Sequence, residues 1–174
     1  MDRLYKHAAE VKWFVYYTSP KAEKRIYREL VDSGYETYLP LRKSFKIWKN
    51  RQRKWIEEPL FPSYIFVKIH PAFIFDLLKV YGICMFITLG GKPCAIPDKD
   101  IEAIQRMIAS EQEISANIAF KEGERVCIIR GPLIGYEGIL FNQKGKNKFG
   151  IQLQGVNLNV AIDVSIEDIH KLTV

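Results

Sequence analysis

The chain has 174 residues, which suits one ordinary domain or two small ones. Its 48% hydrophobic and 26% charged content excludes a disordered chain. No apolar run approaches the length of a membrane helix, and no apolar segment of signal-peptide type follows Met1-Asp2-Arg3-Leu4-Tyr5-Lys6. The net charge of +6 is uneven: residues 1–110 carry 19 Lys/Arg against 12 Asp/Glu, and residues 111–174 carry 7 against 8. A basic part joined to a near-neutral part suggests a different partner for each, with nucleic acid the candidate for the basic one. Charge alone does not choose between that and a surplus kept for solubility. Cys84, Cys94 and Cys127 are odd in number and lack metal-ligand spacing. They read as reduced thiols of a cytoplasmic protein, buried as small hydrophobes.

In chain order, Lys12-Trp13-Phe14-Val15-Tyr16-Tyr17-Thr18 is aromatic and β-branched and predicts a strand. Ser19-Pro20 supplies an N-cap and a first-turn proline for a helix whose Ala22, Ile26 and Leu30 share one face. Gly34 ends it. Strands are expected at 36–40, 43–48 and 53–57, the last two forming a hairpin through Asn50–Gln52. Tyr64-Ile65-Phe66-Val67-Lys68-Ile69 predicts a strand buried on both faces. A short helix at 73–80 and a strand at 84–88 follow. Pro97-Asp98 opens a second helix with Ile101, Ile104, Met107 and Ile108 on its core side. Residues 111–119 lose periodicity and read as a linker. From Phe120, strands at 125–130, 136–142, 148–154 and 158–163 alternate with glycine-bearing turns, the pattern of a small β-barrel. The class is therefore α+β, an αβ sandwich over 8–110 followed by a barrel over 120–174.

Three stretches carry candidate function. Residues 42–55 hold seven basic residues (Arg42, Lys43, Lys46, Lys49, Arg51, Arg53, Lys54), no acid, and the aromatics Phe45, Trp48 and Trp55. Basic side chains on a ribbon follow a phosphate backbone, and rings stack on exposed bases. The alternative is a solvated hairpin whose aromatics pack inward. Lys21, Lys24, Arg25 and Arg28 add a positive helix edge, a common feature in itself. Glu57-Glu58-Pro59-Leu60-Phe61-Pro62-Ser63-Tyr64 places two prolines before a strand and restrains Phe61 and Tyr64, as protein anchors or as core. Gly123 to Gly138 holds a Gly131-Pro132 turn with Leu133 and Ile134 at its tip, folded back or facing a partner.

Together these residues resemble the NusG family of transcription factors. Trp13-Phe14-Val15 before a helix, the basic hairpin and Phe61-Pro62-Ser63-Tyr64 are similar to its N-terminal domain. Gly123–Gly138 is similar to the KOW motif of its C-terminal SH3-like barrel. Glu58-Pro59-Leu60-Phe61-Pro62 resembles the operon-specific antiterminator branch. The resemblance covers nearly the whole chain. It implies docking on the clamp helices of the largest RNA polymerase subunit through Trp13, Tyr17, Phe61, Pro62 and Tyr64. It implies contact with upstream non-template DNA through Lys21, Arg25, Arg28 and the hairpin, and suppression of pausing or termination at specific operons. Phe75-Asp76-Leu77 lies where antiterminators of this branch touch the gate loop, and departs from the His/Thr-rich sequence there. Leu133, Ile134 and Val156 match the loops that recruit a small-subunit ribosomal protein or a termination factor. Some members of the branch switch the C-terminal domain to a helical hairpin. Here Val126, Ile128, Ile129, Val160, Ile162 and Val164 favour strands, and the glycines weaken a helix, so a constitutive barrel is expected.

Catalysis is not expected: His7, His70 and His170 are scattered, and no phosphate loop or nucleophile elbow is present. No cofactor, no metal and no membrane partner is expected, and a monomer is. A ribosome-associated KOW-type RNA-binding protein is the rival reading, but it leaves the Trp13 strand and Phe61-Pro62 unexplained.

Overall fold

The structure is a computed structural model that describes residues 11–48, 51–110, 112–118 and 123–172. The start of the expected first domain (8–10), Lys49 and Asn50, both ends of the expected linker (111 and 119) and the residues 120–122 lie outside the described residues. The chain divides into two compact units. One gathers residues up to Pro40, Phe61–Asp98 and Gln154–Val156, and the other Leu41–Leu60, Lys99–Leu153 and Asn157 onward. The fold is mixed α and β, as the sequence predicts.

The first unit is built on an antiparallel sheet. Its strands are β1 (Lys12–Thr18), β2 (Glu36–Tyr38), β5 (Tyr64–Ile69), β6 (Ile83–Phe86) and β9 (Ala95–Ile96), in the order β2-β5-β1-β6 with β9 also paired to β1. Alternation along β1 and β5 sends Phe14, Tyr16, Ile65, Val67 and Ile69 to one face. Ile26 and Leu30 of α1 (Glu23–Asp32) and Ile74 and Leu77 of a 3-10 helix (Pro71–Lys79) pack there. Each such side chain contributes roughly 1.5–3 kcal/mol on burial. The Tyr16 hydroxyl donates to the Ile74 carbonyl at 3.0 Å, and burial pushes its pKa above the usual phenol range. Between β6 and β9, β7 (Thr88–Leu89) and β8 (Lys92–Pro93) form a two-stranded turn.

Helix α1 differs from the sequence reading at its start. Ser19 does not cap it: the helix begins at Glu23 after Lys21, which adopts a left-handed φ of 64° and turns the chain once more. Its end follows the prediction. Gly34 has φ +86°, its amide bonds Val31 O, and the Tyr35 amide bonds Leu30 O, a Schellman stop that favours glycine.

The second unit holds the hairpin of β3 (Leu41–Ile47) and β4 (Arg53–Pro59). All of α2 (Asp98–Ala109) except Asp98 belongs to it, and Ile101, Ala103, Ile104 and Met107 of that helix are buried. It also holds a six-stranded antiparallel sheet in the order β10-β14-β13-β12-β11-β15. These strands are β10 (Ile114–Ala116), β11 (Glu124–Ile128), β12 (Glu137–Gln143), β13 (Lys146–Gln152), β14 (Asn159–Asp163) and β15 (Ile169–Lys171). Val126, Ile128, Phe149, Ile151, Val160 and Ile162 form its buried set. Strand β10 lies where the sequence reading had an aperiodic stretch. Three residues are too few to show a period, and the strand exists because Ile114, Ser115 and Ala116 pair with Ile162, Ala161 and Val160.

The cysteines are free, but Cys84 is exposed and Cys94 and Cys127 are half-buried, which corrects the expectation of buried thiols. Cys84 lies on β6, the edge strand, whose middle residues turn outward.

Candidate functional site

The sheet face opposite the α1 core is graded. Antiparallel register puts Trp13 opposite Lys68, Val15 opposite Phe66 and Tyr17 opposite Tyr64, all on this face. Trp13, Val15 and Phe66 are buried, with the Lys68 ammonium 5.6 Å from the Trp13 ring centre. Toward the other end the face opens. Tyr17 and Tyr64 meet edge to face at 5.5 Å, and Tyr17 is paired on its other side with Met85, which is 56% exposed. Tyr64, Tyr17 and Met85 thus form one row across three strands.

The turn before Tyr64 is fixed by polar contacts. Ser63 has φ 66°, its amide donates to the buried carboxylate of Glu23 at 2.7 Å, and its carbonyl accepts from Thr18 N at 2.8 Å. Tyr64 N bonds Phe61 O at 3.2 Å. Phe61 is buried edge-on against Phe66 at 6.0 Å, and Pro62 is exposed. Of the five predicted anchors, the geometry brings Tyr17 and Tyr64 together at the surface beside the Pro62 turn. It buries Trp13 farther along the same face and Phe61 in the turn before Tyr64. Met85 is the member that sequence reasoning missed, because nothing in the sequence pairs β6 with β1.

The hairpin is more structured in charge than its composition suggests. Arg42 opposes Glu58 and Lys43 opposes Glu57 at the base, while Lys46 opposes Lys54 and Ile47 opposes Arg53 toward the tip. Glu58 receives Arg42 at 3.0 Å and Lys46 at 3.2 Å. Partial burial works against its carboxylate, but the hydrogen bonds from Lys46 and Arg42 outweigh this and hold its pKa below the usual range. The base is therefore partly neutralised, Lys46 included, and positive charge concentrates around Arg51, Arg53 and Lys54. Residues 41–56 contain no acid. Phe45, Trp48 and Trp55 do not pack inward: they are 46%, 57% and 65% exposed.

Lys21, in the turn before α1, and Arg28, on the helix, are exposed. Arg25 is braced, with Nη1 bonding Glu29 at 2.9 Å, Nη2 bonding Tyr81 O, and its guanidinium 5.3 Å from the Tyr81 ring centre. In the second unit, the loop after β11 turns through Gly131 and Gly135, both at positive φ, with Gly135 N bonded to Ile128 O at 2.8 Å. Leu133 is buried there and Ile134 is 59% exposed, so the two tip residues divide between packing and surface. Val156 is buried. Among the described residues no group of three or more His, Cys, Asp or Glu is placed to hold a metal, and no helix is long and apolar enough to cross a membrane.

The Transcription termination/antitermination protein NusG of Borreliella burgdorferi is 25% identical over 174 residues, covering 87% of this chain and 94% of the relative. That of Thermus thermophilus is 22% identical, covering 89% and 96%. Among solved structures, "Domain interaction in Thermotoga maritima NusG" matches with a TM-score of 0.55 at 19% identity, over 95% of this chain and 99% of that one, a likeness of fold. Residues 11–105 match the NusG family model, described as Transcription termination factor nusG. That match takes in the first unit's sheet, α1, the hairpin and most of α2, and on it the chain belongs to the NusG family.

Proposed function

We propose that this chain is a transcription elongation and antitermination factor that binds the clamp helices of the largest RNA polymerase subunit, contacts upstream non-template DNA, and acts at specific operons. Residues 8–110 form the polymerase-binding domain. Residues 120–174 form an SH3-like KOW barrel that recruits a small-subunit ribosomal protein or a termination factor, and the connecting stretch 111–119 adds β10 to its sheet. Family membership supports the class of function, and the relatives' shared name points the same way.

The observation that carries the polymerase reading is the Tyr64–Tyr17–Met85 row. Exposed Tyr17 and Met85 beside a half-buried Tyr64, on a sheet and behind a turn that Glu23 holds rigid, suit a partner's apolar helix. Little side-chain freedom remains to be lost on docking. Phe61 packs on Phe66 of β5 and so supports the turn that carries Tyr64. Holding the clamp in its closed arrangement disfavours paused states through differential binding. The hairpin tip and the α1 edge supply the positive charge for the DNA strand.

Pull-down of purified core RNA polymerase tests the reading, with the wild type and with Tyr17→Ala/Tyr64→Ala. Both changes are outside the buried core, so the variant is expected to fold, which circular dichroism checks. Capture by the wild type and at least about tenfold weaker capture by the variant is expected. No capture of the enzyme by the folded wild type, free or in elongation complexes, removes the proposal.

A further inference from the structure

We infer that the outer edge of β14 is a docking site for an extended peptide of a partner, and that residues 113–118 are a strap covering this edge until a partner strand displaces it. The inference stands independently of the polymerase and DNA readings. To the exposed loop tip at Ile134 it adds a different mode of recruitment, main-chain pairing at a sheet edge.

Strand β14 needs a cover. Its Val160, Ala161 and Ile162 are buried, and a bare strand edge carries unpaired amides and carbonyls that invite another strand. One edge of β14 pairs with β13 and the other with β10, which ends the sheet order. That cover is slight. Ile114, Ser115 and Ala116 pair with Ile162, Ala161 and Val160, and each of the three stays half-buried. The pairing stops there because Asn117 turns out of the strand at φ 53°, a left-handed conformation that Asn tolerates. Two bonds to Asn159 hold this turn: the Asn117 amide donates to its carbonyl at 3.0 Å, and the Ile118 amide to its side-chain oxygen at 2.8 Å. At the other end Glu113 reaches Lys146 at 3.5 Å, an ion pair between exposed side chains that contributes little. The strap places no fully buried side chain in the core and is fixed chiefly by main-chain bonds. Such a segment opens at a lower cost than the sheet beneath it.

The strap itself shows what fits. Directly opposed residues share a face, so Ile114 stands beside Ile162 and Ala116 beside Val160, with Ser115 and Ala161 on the other face. Lys146 of β13 bonds both Asp163, at the end of β14, and Glu113. The occupant is therefore an extended segment in which an acidic residue is followed, one and three positions on, by apolar residues. Main-chain bonds supply its affinity, while Lys146 and the alternate apolar positions supply its selectivity. A segment that stays extended past the position of Asn117 continues the ladder to Asn159 and forms more of it than the strap does. That surplus lets it displace a strap that the chain itself holds close.

Titration of the full chain against a dye-labelled peptide of residues 112–118, carrying Asn117→Val so that it stays extended, tests this by anisotropy. Ser115→Pro and Glu113→Lys are the strap-releasing variants of the protein. Proline restricts the strand backbone and lacks a donor, and lysine sets like charge against Lys146. A covered edge lowers the apparent affinity by the fraction of molecules in which it is open. Peptide capture is therefore expected to tighten at least about fivefold in Ser115→Pro and about threefold in Glu113→Lys. A peptide that also carries Glu113→Lys is expected to bind the Ser115→Pro protein more weakly. Hydrogen exchange of the wild type is the second measurement. The Asn117 and Ile118 amides are expected to exchange at least about tenfold faster than the bonded amides of β13. Circular dichroism and melting check that each variant is folded.

Asn117 and Ile118 amides as protected as those of β13 make residues 113–118 a fixed part of the sheet and overturn the strap. If Ser115→Pro fails to fold, Glu113→Lys and the exchange rates decide. Equal capture of the peptide by the wild type and the folded variants overturns the covering role, and capture by none of them overturns the docking site. Equal binding of the two peptides overturns the assignment to an acidic segment. Variants that dimerise in sedimentation while taking up no peptide overturn the partner assignment and give the edge to a second copy of this chain.

Discussion

The carboxylate of Glu23, at the first turn of α1, accepts a hydrogen bond at 2.7 Å from the backbone amide of Ser63, forty residues away. Glu23 is only 5% exposed, so the bond is shielded from water. It ties the helix to the turn that orients Tyr64. Glu23→Ala leaves a buried amide without an acceptor and is expected to cost about 1–3 kcal/mol, seen as a lower melting temperature. Glu23→Gln keeps an acceptor oxygen in place and loses less. Polymerase capture falls with Glu23→Ala even at temperatures where the variant is folded, because the turn loosens. Melting of Glu23→Ala identical to the wild type contradicts the role given to this bond.

A second prediction concerns close packing within the six-stranded sheet. A β-carbon on Gly138 would stand 2.5 Å from the Gly150 carbonyl oxygen and 2.6 Å from the Phe149 ring. Phe149 is fully buried and the carbonyl belongs to the neighbouring strand, so neither yields easily. Gly138→Ala is expected to destabilise this unit by about 1–3 kcal/mol through overpacking. Denaturant melts read this directly. Gly145→Ala is the contrast: its β-carbon would meet nothing within 4 Å, and any cost comes from its φ of +78° alone.

Much of the first unit was legible because period and position agreed. Phe14 and Tyr16 against Trp13, Val15 and Tyr17 alternate as a two-faced strand must, and Ala22, Ile26 and Leu30 mark one helix side. What the sequence does not carry is pairing between distant segments. The neutralised base of the hairpin depends on register, which sets Glu57 and Glu58 against Lys43 and Arg42. Composition over residues 42–55 stops just short of both acids. Met85 joins the tyrosines only because β6 lies beside β1. Glu23 looks like an ordinary first-turn acid until the Ser63 turn folds onto it. Strands β10 and β15, three residues each, are too short to show a period. At Leu133-Ile134 the sequence left both roles open, and each residue takes one of them.

Acid sensitivity of the six-stranded sheet is expected to centre on Asp163. Lys148, 5% exposed, bonds one oxygen at 2.7 Å and Lys146 bonds the other at 2.8 Å. The hydrogen bonds from Lys146 and then Lys148 hold the carboxyl below its usual pKa, against a smaller opposing effect of partial burial. A carboxyl lowered on folding contributes stability above its unfolded pKa of about 3.9. That contribution is lost as pH falls through the lower, folded value. The melting temperature of the wild type is expected to fall steeply below about pH 4. Asp163→Asn is expected to be less stable at neutral pH and to show a shallower acid limb. Parallel acid limbs in the two proteins exclude Asp163 as the cause.

The loop after β11 gives the most direct separation of packing from partner binding, because two adjacent apolar residues take opposite positions. Leu133 is 2% exposed and Ile134 is 59% exposed. Leu133→Ala removes buried methyl groups and is expected to cost about 2–4 kcal/mol, as cavity-forming changes do. Ile134→Ser changes a side chain that water already reaches and is expected to move stability by no more than about 0.5 kcal/mol. If the loop recruits a second factor, Ile134→Ser lowers that binding with melting unchanged, whereas Leu133→Ala lowers both together. Melting of each variant beside its affinity for a small-subunit ribosomal protein and for a termination factor separates the two roles. An Ile134→Ser variant that binds both factors as the wild type does moves the recruiting surface elsewhere on this unit.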